Sequence, residues 1–347
     1  MKRESVISGT TAERPADRTG RTLRIGAAVV VAVLLCAVPS QTDVYTTFLA
    51  TQALVFGLLA VGVGVLTGHA GLATMGQVAP YAVGAYTTAW LTRQDITNGL
   101  VHLAVAALAA ALFSAITGPV VIRARGVVVI MLTLAVGELT ATAANQWKSF
   151  TGGTDGLAGI PATRVLPGTP ELLNEDQVYV YVLVVTAVVA GVTALVLRSP
   201  AGLLLAGCRE NEARMRAAGH PVDRYLLIAY IGAGAIGGIG GALLITYQRY
   251  VSPEDVGFDV SALALLAVVI GGVRSITGAL AGAALIVFTR DWLGGWWPGH
   301  APLFLGLLFL VAVYVLPDGA AGFAGRARAF GRGIRSRNPD AAKSEAA

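Results

Sequence analysis

Apolar runs near twenty residues long recur along almost the whole chain, interrupted mainly by polar stretches at 144–177 and 198–224. Uncharged runs of that length cross a hydrocarbon core about 30 Å thick as helices, which satisfy every backbone group internally. The runs fall at 24–39, 46–66, 71–92, 100–122, 126–147, 178–197 and 225–248. The stretch 259–290 is too long for one ordinary helix and is broken by Gly271-Gly272-Val273-Arg274-Ser275; a last run covers 301–316. The pattern predicts an all-α polytopic membrane protein.

Basic residues decide how many crossings this makes. Arg14, Arg18, Arg21 and Arg24 precede or open the first run. Arg198, Arg209, Arg214, Arg216 and Arg224 occupy the loop 198–224, and Arg326, Arg328, Arg332, Arg335 and Arg337 the tail. Positive-inside bias places all three groups in the cytoplasm, together with Arg123 and Arg125. The parity then requires 259–272 and 277–290 to be two crossings joined by an inside turn at Arg274. That gives about ten crossings (range eight to ten) with both termini cytoplasmic, and Trp292, Trp296 and Trp297 at the outer interface, where indole rings favour the headgroup level. The two short crossings are alternatively re-entrant or strongly tilted. A nine-span count would put the Arg-rich tail outside.

Split at the acidic loop, ten crossings form a five-plus-five inverted repeat, an arrangement that makes two access states from two similar halves. Without a strong residue-level repeat, that idea rests on topology alone. The expected organisation is a basic, disordered arm over 1–23, a transmembrane region over 24–317 and a basic, disordered tail over 318–347. The loop 144–177, with Asp155, Glu171, Glu175 and Asp176, is extracytoplasmic, and 198–224 is cytoplasmic.

Composition agrees with this reading. Hydrophobic residues make up 55% of the chain and charged ones 13%, against about 25% charge in soluble domains. Forty-three glycines point to close helix contacts and broken helices, since a missing side chain lets backbones approach. A net charge of +5, concentrated in the arm, loop and tail, suits an anionic membrane leaflet better than nucleic acid. The first run predicts a retained span rather than a cleaved signal peptide. Cys36 and Cys208 form no C-x-x-C pair and predict no disulfide, and no G-x-x-x-x-G-K-[ST] loop occurs, so the chain itself binds no ATP through a P-loop.

Four segments carry candidate chemistry. In Gly68–Tyr86 the glycines at 68, 71, 76 and 84, with Pro80, fit a regular helix poorly; Pro80 removes a backbone donor and predicts a kink. Thr74, Gly76, Gln77 and Tyr81 either face a polar passage or pack a tight hairpin, and His69 suits a loop or interface. Glu138 is the one carboxylate well inside the fifth run. Such a charge is costly in lipid, so it makes a structural hydrogen bond, sits near the outer end, lines a solute passage or couples to protons. Gly152, Gly153, Thr154, Asp155 and Gly156 make tight turns with exposed amides and hydroxyls, as an outer cap or a docking surface. Residues 203–218 predict one amphipathic helix stopped by Gly219. Leu204, Cys208, Asn211 and Met215 share one side and Arg209, Glu212 and Arg216 a charged side. It lies on the lipid surface or fits a groove on a soluble partner.

Three of these stretches together resemble the membrane-spanning subunits of bacterial branched-chain amino acid ABC importers, of the LivM type. They are Gly68–Tyr86 with its Gly-x-x-Gly-x-x-Thr-Met-Gly-Gln run, the Thr151–Leu157 loop, and Arg209-Glu210-Asn211-Glu212-Ala213. Ala218-Gly219, Arg224-Tyr225, Ser252-Pro253-Glu254 and Gly271-Gly272 follow in order, so the likeness covers roughly residues 45–320. The resemblance implies a non-catalytic permease in a bacterial plasma membrane, paired with a LivH-type membrane subunit. Two cytoplasmic ATPases, which use ATP and Mg, and an extracytoplasmic solute-binding protein complete the assembly. No cofactor is bound by this chain, and its other contacts are membrane lipid, not nucleic acid. By the same resemblance, Arg209, Glu210, Glu212, Arg216 and Gly219 belong to the segment that docks on an ATPase. Leu203 stands where relatives often carry arginine, and Thr74 where serine is usual. Substrates implied are branched-chain amino acids, with urea or short amides handled by related permeases; an ion-gradient carrier is the alternative class.

Overall fold

The computed structural model describes residues 43–165, 168, 170–296, 303, 304, 306, 307 and 310. The expected arm, the first run at 24–39, Cys36, Trp297 and the tail lie outside the described residues, as does most of the last run. From Val44 onward the described residues form helices and loops with no strand, only isolated backbone bridges.

Helix α1 spans Val44–Gly64 and continues through one π turn, Val65–Ala70, to Gly71, whose φ of 76° ends it. Helices α2 (Val78–Arg93), α3 (Gly99–Val121) and α4 (Val127–Gln146) follow, then the short α5 (Lys148–Thr151) and α6 (Glu175–Arg198). Two short helices, α7 (Pro200–Glu210) and α8 (Glu212–Ala217), lead into α9 (Val222–Gln248), α10 (Phe258–Gly271) and α11 (Ile276–Trp296).

Six helices among the described residues are long and apolar enough to cross a membrane: α1 with its π turn, α3, α4, α6, α9 and α11. This is fewer than the ten expected crossings. Two expected runs fall outside the description, and α2 and α10 have 16 and 14 residues. The expected run at 71–92 is helical only from Val78. Residues 71–77 are unwound, and Pro80 sits in the first turn of α2, where its missing N–H costs nothing, instead of kinking a helix. The break in 259–290 occurs as the sequence predicts, at Gly272 with φ 103°.

Helix α9 packs on α1, α2, α3 and α7, and α1 packs on α6, α9, α10 and α11. At several of the α9 crossings, backbone meets backbone. A Cβ on Gly84 of α2 would overlap the Gly238 carbonyl of α9, and one on Gly241 would overlap the Tyr81 carbonyl. Small residues at such crossings let main chains approach, which is how helices gain packing energy where lipid is as apolar as leucine.

The connections sort to two ends. At one, Gly68 lies against the Val273 carbonyl of the α10–α11 turn, and Arg125 of the α3–α4 turn pairs with Glu212 of α8. At the other, Gly99 N donates to the Arg164 carbonyl at 2.7 Å, Leu157 and Val251 exchange backbone hydrogen bonds, and Tyr45 bonds Asp291. Arg274 thus lies at the end that carries Arg209 and Arg216, as its charge predicts.

The glycine contacts give a direct test. Gly84→Ala is expected to lower stability in detergent by about 1–3 kcal/mol through overpacking. Gly191→Ala, on α6 with nothing near its added Cβ, should not lower it and is expected to raise it by up to about 1 kcal/mol through helix propensity; thermal unfolding followed by circular dichroism reads the difference.

Candidate functional site

The polar segment between α6 and α9 starts where Ser199 caps α7, its Oγ accepting from Ala201 N at 3.3 Å, with Pro200 at the first helical position. It does not form the single helix expected over 203–218. Asn211 leaves helical geometry (φ −159°, ψ 96°), and its Oδ1 accepts from Arg214 N at 2.9 Å, so it ends α7 and caps α8. The break resets the helical period. Leu205 and Cys208 become the buried positions, packed with Leu66, Ile122, Val222 and Leu226, while Asn211 is exposed and Leu204 and Met215 are half-buried. Gly219, at φ 84°, closes the segment as expected. Cys208 is a free thiol whose pKa burial pushes up.

The charged residues of this segment are largely engaged within the chain. Arg209 Nη1 donates to the Gly68 carbonyl at 2.7 Å, and its stem packs on Gly71 where any Cβ would crowd it. Glu212 pairs with Arg125 at 2.8 Å, and Arg216 forms a two-pronged pair with Asp223 at 2.6 and 3.0 Å. Glu212 also lies 3.9 Å from Arg216 and Arg125 3.8 Å from Asp223, closing a four-member network across α8, the α3–α4 turn and α9. Arg125, Arg216 and Asp223 are exposed and Glu212 is half-buried, so solvent screens these pairs and they mainly fix orientation. Glu210 and Arg214 are exposed with no side-chain partner among the described residues.

The unwound segment 71–77 runs under this end, with Leu72, Thr74, Gly76 and Gln77 buried. Thr74 Oγ1 accepts from Gly76 N at 3.1 Å, Met75 N donates to Thr133 Oγ1 at 3.2 Å, and Gly76 presses on the Thr133 carbonyl. Gln77 is 1% exposed, and neither atom of its amide finds a partner within the described chain. Tyr81 alone of this group reaches a large cavity, about 1100 Å³, at the opposite end of the bundle. Tyr45, Tyr247, Asp255, Asp259 and Arg290 also line it. Sequence reading missed the cavity, because its polar residues stand singly at the ends of α1, α9, α10 and α11 and only the fold gathers them.

The loop 147–174 caps that same end. Thr151 Oγ1 closes on the carbonyls of Ala144 and Trp147, Gly152, Gly153 and Gly156 all have positive φ, and Tyr250 Oη donates to the Asp155 carbonyl at 3.2 Å. The glycines serve the fold of the loop, and Thr154 and Asp155 remain exposed on it. Glu138 stands apart from every other candidate. It is the twelfth of twenty residues in α4, exposed, and makes no hydrogen bond or ion pair among the described residues. Neither a structural hydrogen bond nor a place at the helix end accounts for it.

Stacked apolar helices with unwound, glycine-packed segments and a structured polar insert between two of them mark a polytopic membrane protein. Residues 45–316 match the family described as the permease component of branched-chain amino acid transport systems, and the chain belongs to that family. It is 28% identical over 312 residues to the high-affinity branched-chain amino acid transport system permease protein LivM of Escherichia coli K12, covering 84% of this chain and 73% of that protein. To the protein of the same name from Salmonella typhimurium LT2 it is 27% identical over 308 residues, covering 83% and 72%. No solved structure matches the chain. As a permease component it is a non-catalytic transport subunit.

The Arg209 contact is testable without transport. A hydrogen bond from a charged donor contributes about 1.5–3 kcal/mol. Amide exchange of residues 66–72 in Arg209→Ala is therefore expected to rise about tenfold or more if that segment opens locally, while Arg214→Ala leaves it unchanged.

Proposed function

We propose that this chain is one of two membrane subunits of an ATP-driven importer that translocates branched-chain amino acids delivered by an extracytoplasmic binding protein. The observation that carries the reading is the α7–α8 segment: an ordered polar insert between two spans, tied by Arg209 to the end of α1 and presenting Glu210 and Arg214 outward. Family membership supplies the transport class, and the relatives' names supply the solute.

In this reading the chain lies in a bacterial plasma membrane with about ten crossings, the two unassigned ones at 24–39 and 301–316, and with both termini and the α7–α8 segment cytoplasmic. The five-plus-five inverted arrangement follows from that count. The organisation into arm, permease region and tail keeps the boundaries 1–23, 24–317 and 318–347. The partners are a LivH-type membrane subunit, two ATPases that bind ATP and Mg below α7–α8, and a binding protein above the 147–174 loop. No cofactor is held by this chain.

The mechanism follows from rigid contacts. An ATPase moving against Glu210 and Arg214 displaces α7 and α8 together, because the network through Glu212, Arg216, Asp223 and Arg125 holds α8 to the α3–α4 turn and to α9, and Arg209 holds α7 to the end of α1. Arg209 passes that displacement to the π turn of α1 and the unwound 71–77 segment. Glycine-packed crossings then shift as discrete contacts and not as a continuous deformation. Solute choice rests mainly with the binding protein, which fits the few polar side chains in the spans.

Purification in mild detergent is expected to recover a second permease and two ATPases, and leucine uptake by the reconstituted assembly should require ATP; uptake by this chain alone on an ion gradient would refute the assignment. For topology, a cysteine at Asp155 should react with an impermeant maleimide added outside and one at Arg274 should not. Coupling is best tested at the outward charges: Glu210→Lys or Arg214→Glu is expected to cut solute-stimulated ATP hydrolysis at a cost of about 1–3 kcal/mol of docking where the partner charge is partly buried. Unchanged stimulation in both variants would remove the docking role.

A further inference from the structure

The outward faces of the spanning helices are not alike. On α3 the exposed residues are Leu100, Val101, Ala104, Leu108, Leu112, Ile116 and Val120, and on α6 every exposed residue from Val180 to Val196 is apolar. Those faces suit lipid. On α4, Glu138, Thr142 and Asn145 are all exposed and fall at i, i+4 and i+7, one stripe on one side of the helix. It runs about 10 Å from the middle of α4 toward its C-terminal end, at 1.5 Å per residue. On the same side toward the N-terminal end stand Val127 and Met131, both exposed.

A carboxylate at mid-span is costly in hydrocarbon and is found facing protein interior or a water-filled cavity. Glu138 makes no hydrogen bond or ion pair among the described residues of its own chain, and its exposure turns it toward whatever packs on this face of α4. We propose that this stripe of α4 lines the solute path, closed across it by the second membrane subunit, and that the Glu138 carboxylate receives the ammonium group of the passing amino acid. Thr142 and Asn145 supply hydrogen bonds along the wet half of the path. Val127 and Met131 form the dry half, a constriction that excludes water while the path is closed on the cytoplasmic side.

The charge complementarity is specific. A solute with an ammonium group meets Glu138, whereas urea or a short neutral amide gains no charge-assisted bond there. This deepens the two-subunit importer reading and rests on it.

The test uses the complete importer, with its second permease, ATPases and binding protein, in proteoliposomes. Glu138→Gln is expected to lower ATP-driven uptake of labelled leucine by about tenfold or more, the loss of one charge-assisted bond, with Glu138→Asp keeping more of it. Separately, T142C and N145C on the native background should react with a membrane-impermeant maleimide added from the binding-protein side, and M131C should not. Leucine uptake by Glu138→Gln equal to wild type would overturn the ammonium contact. T142C and N145C reacting only with a bilayer-soluble maleimide would overturn the path, and this labelling decides the matter if Glu138→Gln fails to assemble. Failure of the importer reading itself looks different: wild-type uptake would then need no ATPase, while the labelling pattern stays readable.

Discussion

Backbone-to-backbone contact at the crossings of α9 is the constraint on which the remaining structure depends. Gly238 and Gly241 of α9 and Gly84 of α2 bring main chains so close that no side chain fits between them. In a bilayer, apolar side chains gain little by leaving lipid for protein, so dispersion at close range supplies much of the association. The small-residue face of α9 therefore fixes α2 and α3 around it, and with them the place where the unwound 71–77 segment must run. That segment is tolerated because it is buried in protein, with Thr74 and Thr133 hydroxyls taking up freed backbone donors.

A second layer of order is electrostatic and sits at one end. Arg125, Glu212, Arg216 and Asp223 form individually weak, solvent-screened pairs, yet together they set the place of α8 against the bundle. Arg209 acts differently, through a single hydrogen bond to a carbonyl left over by the π turn of α1. Such an end group needs a donor in any case, so the link between a surface helix and a core helix also satisfies a local requirement. Glu210 and Arg214 are left exposed and without a side-chain partner among the described residues.

Much of the site was legible in particular residues. Gly219 as a stop, Gly272 as a break and the turn at Arg274 follow from local backbone preference and charge, and all three occur where the sequence predicts. The helix over 203–218 does not, because Asn211 has two local options, continuing the helix or capping the next one, and periodicity alone cannot choose between them. Glu138 was recognisable as an intramembrane acid, but whether it points inward or outward depends on which face of α4 packs against α2, and Gly137 and Thr133 settle that in three dimensions.

The sequence by itself determined the membrane class, the helical composition, the positions of the polar inserts and the end of the bundle to which the arginines belong. Each of these follows from the length of apolar runs, the cost of bare backbone in lipid and the bias of positive charge. Only the tertiary structure decided that Arg209 bonds the Gly68 carbonyl 141 residues away, that single polar residues from four helices share one cavity, and that α4 turns a polar stripe outward. These are relations between distant positions, set by which helix faces pack together, and no local pattern along one chain encodes them.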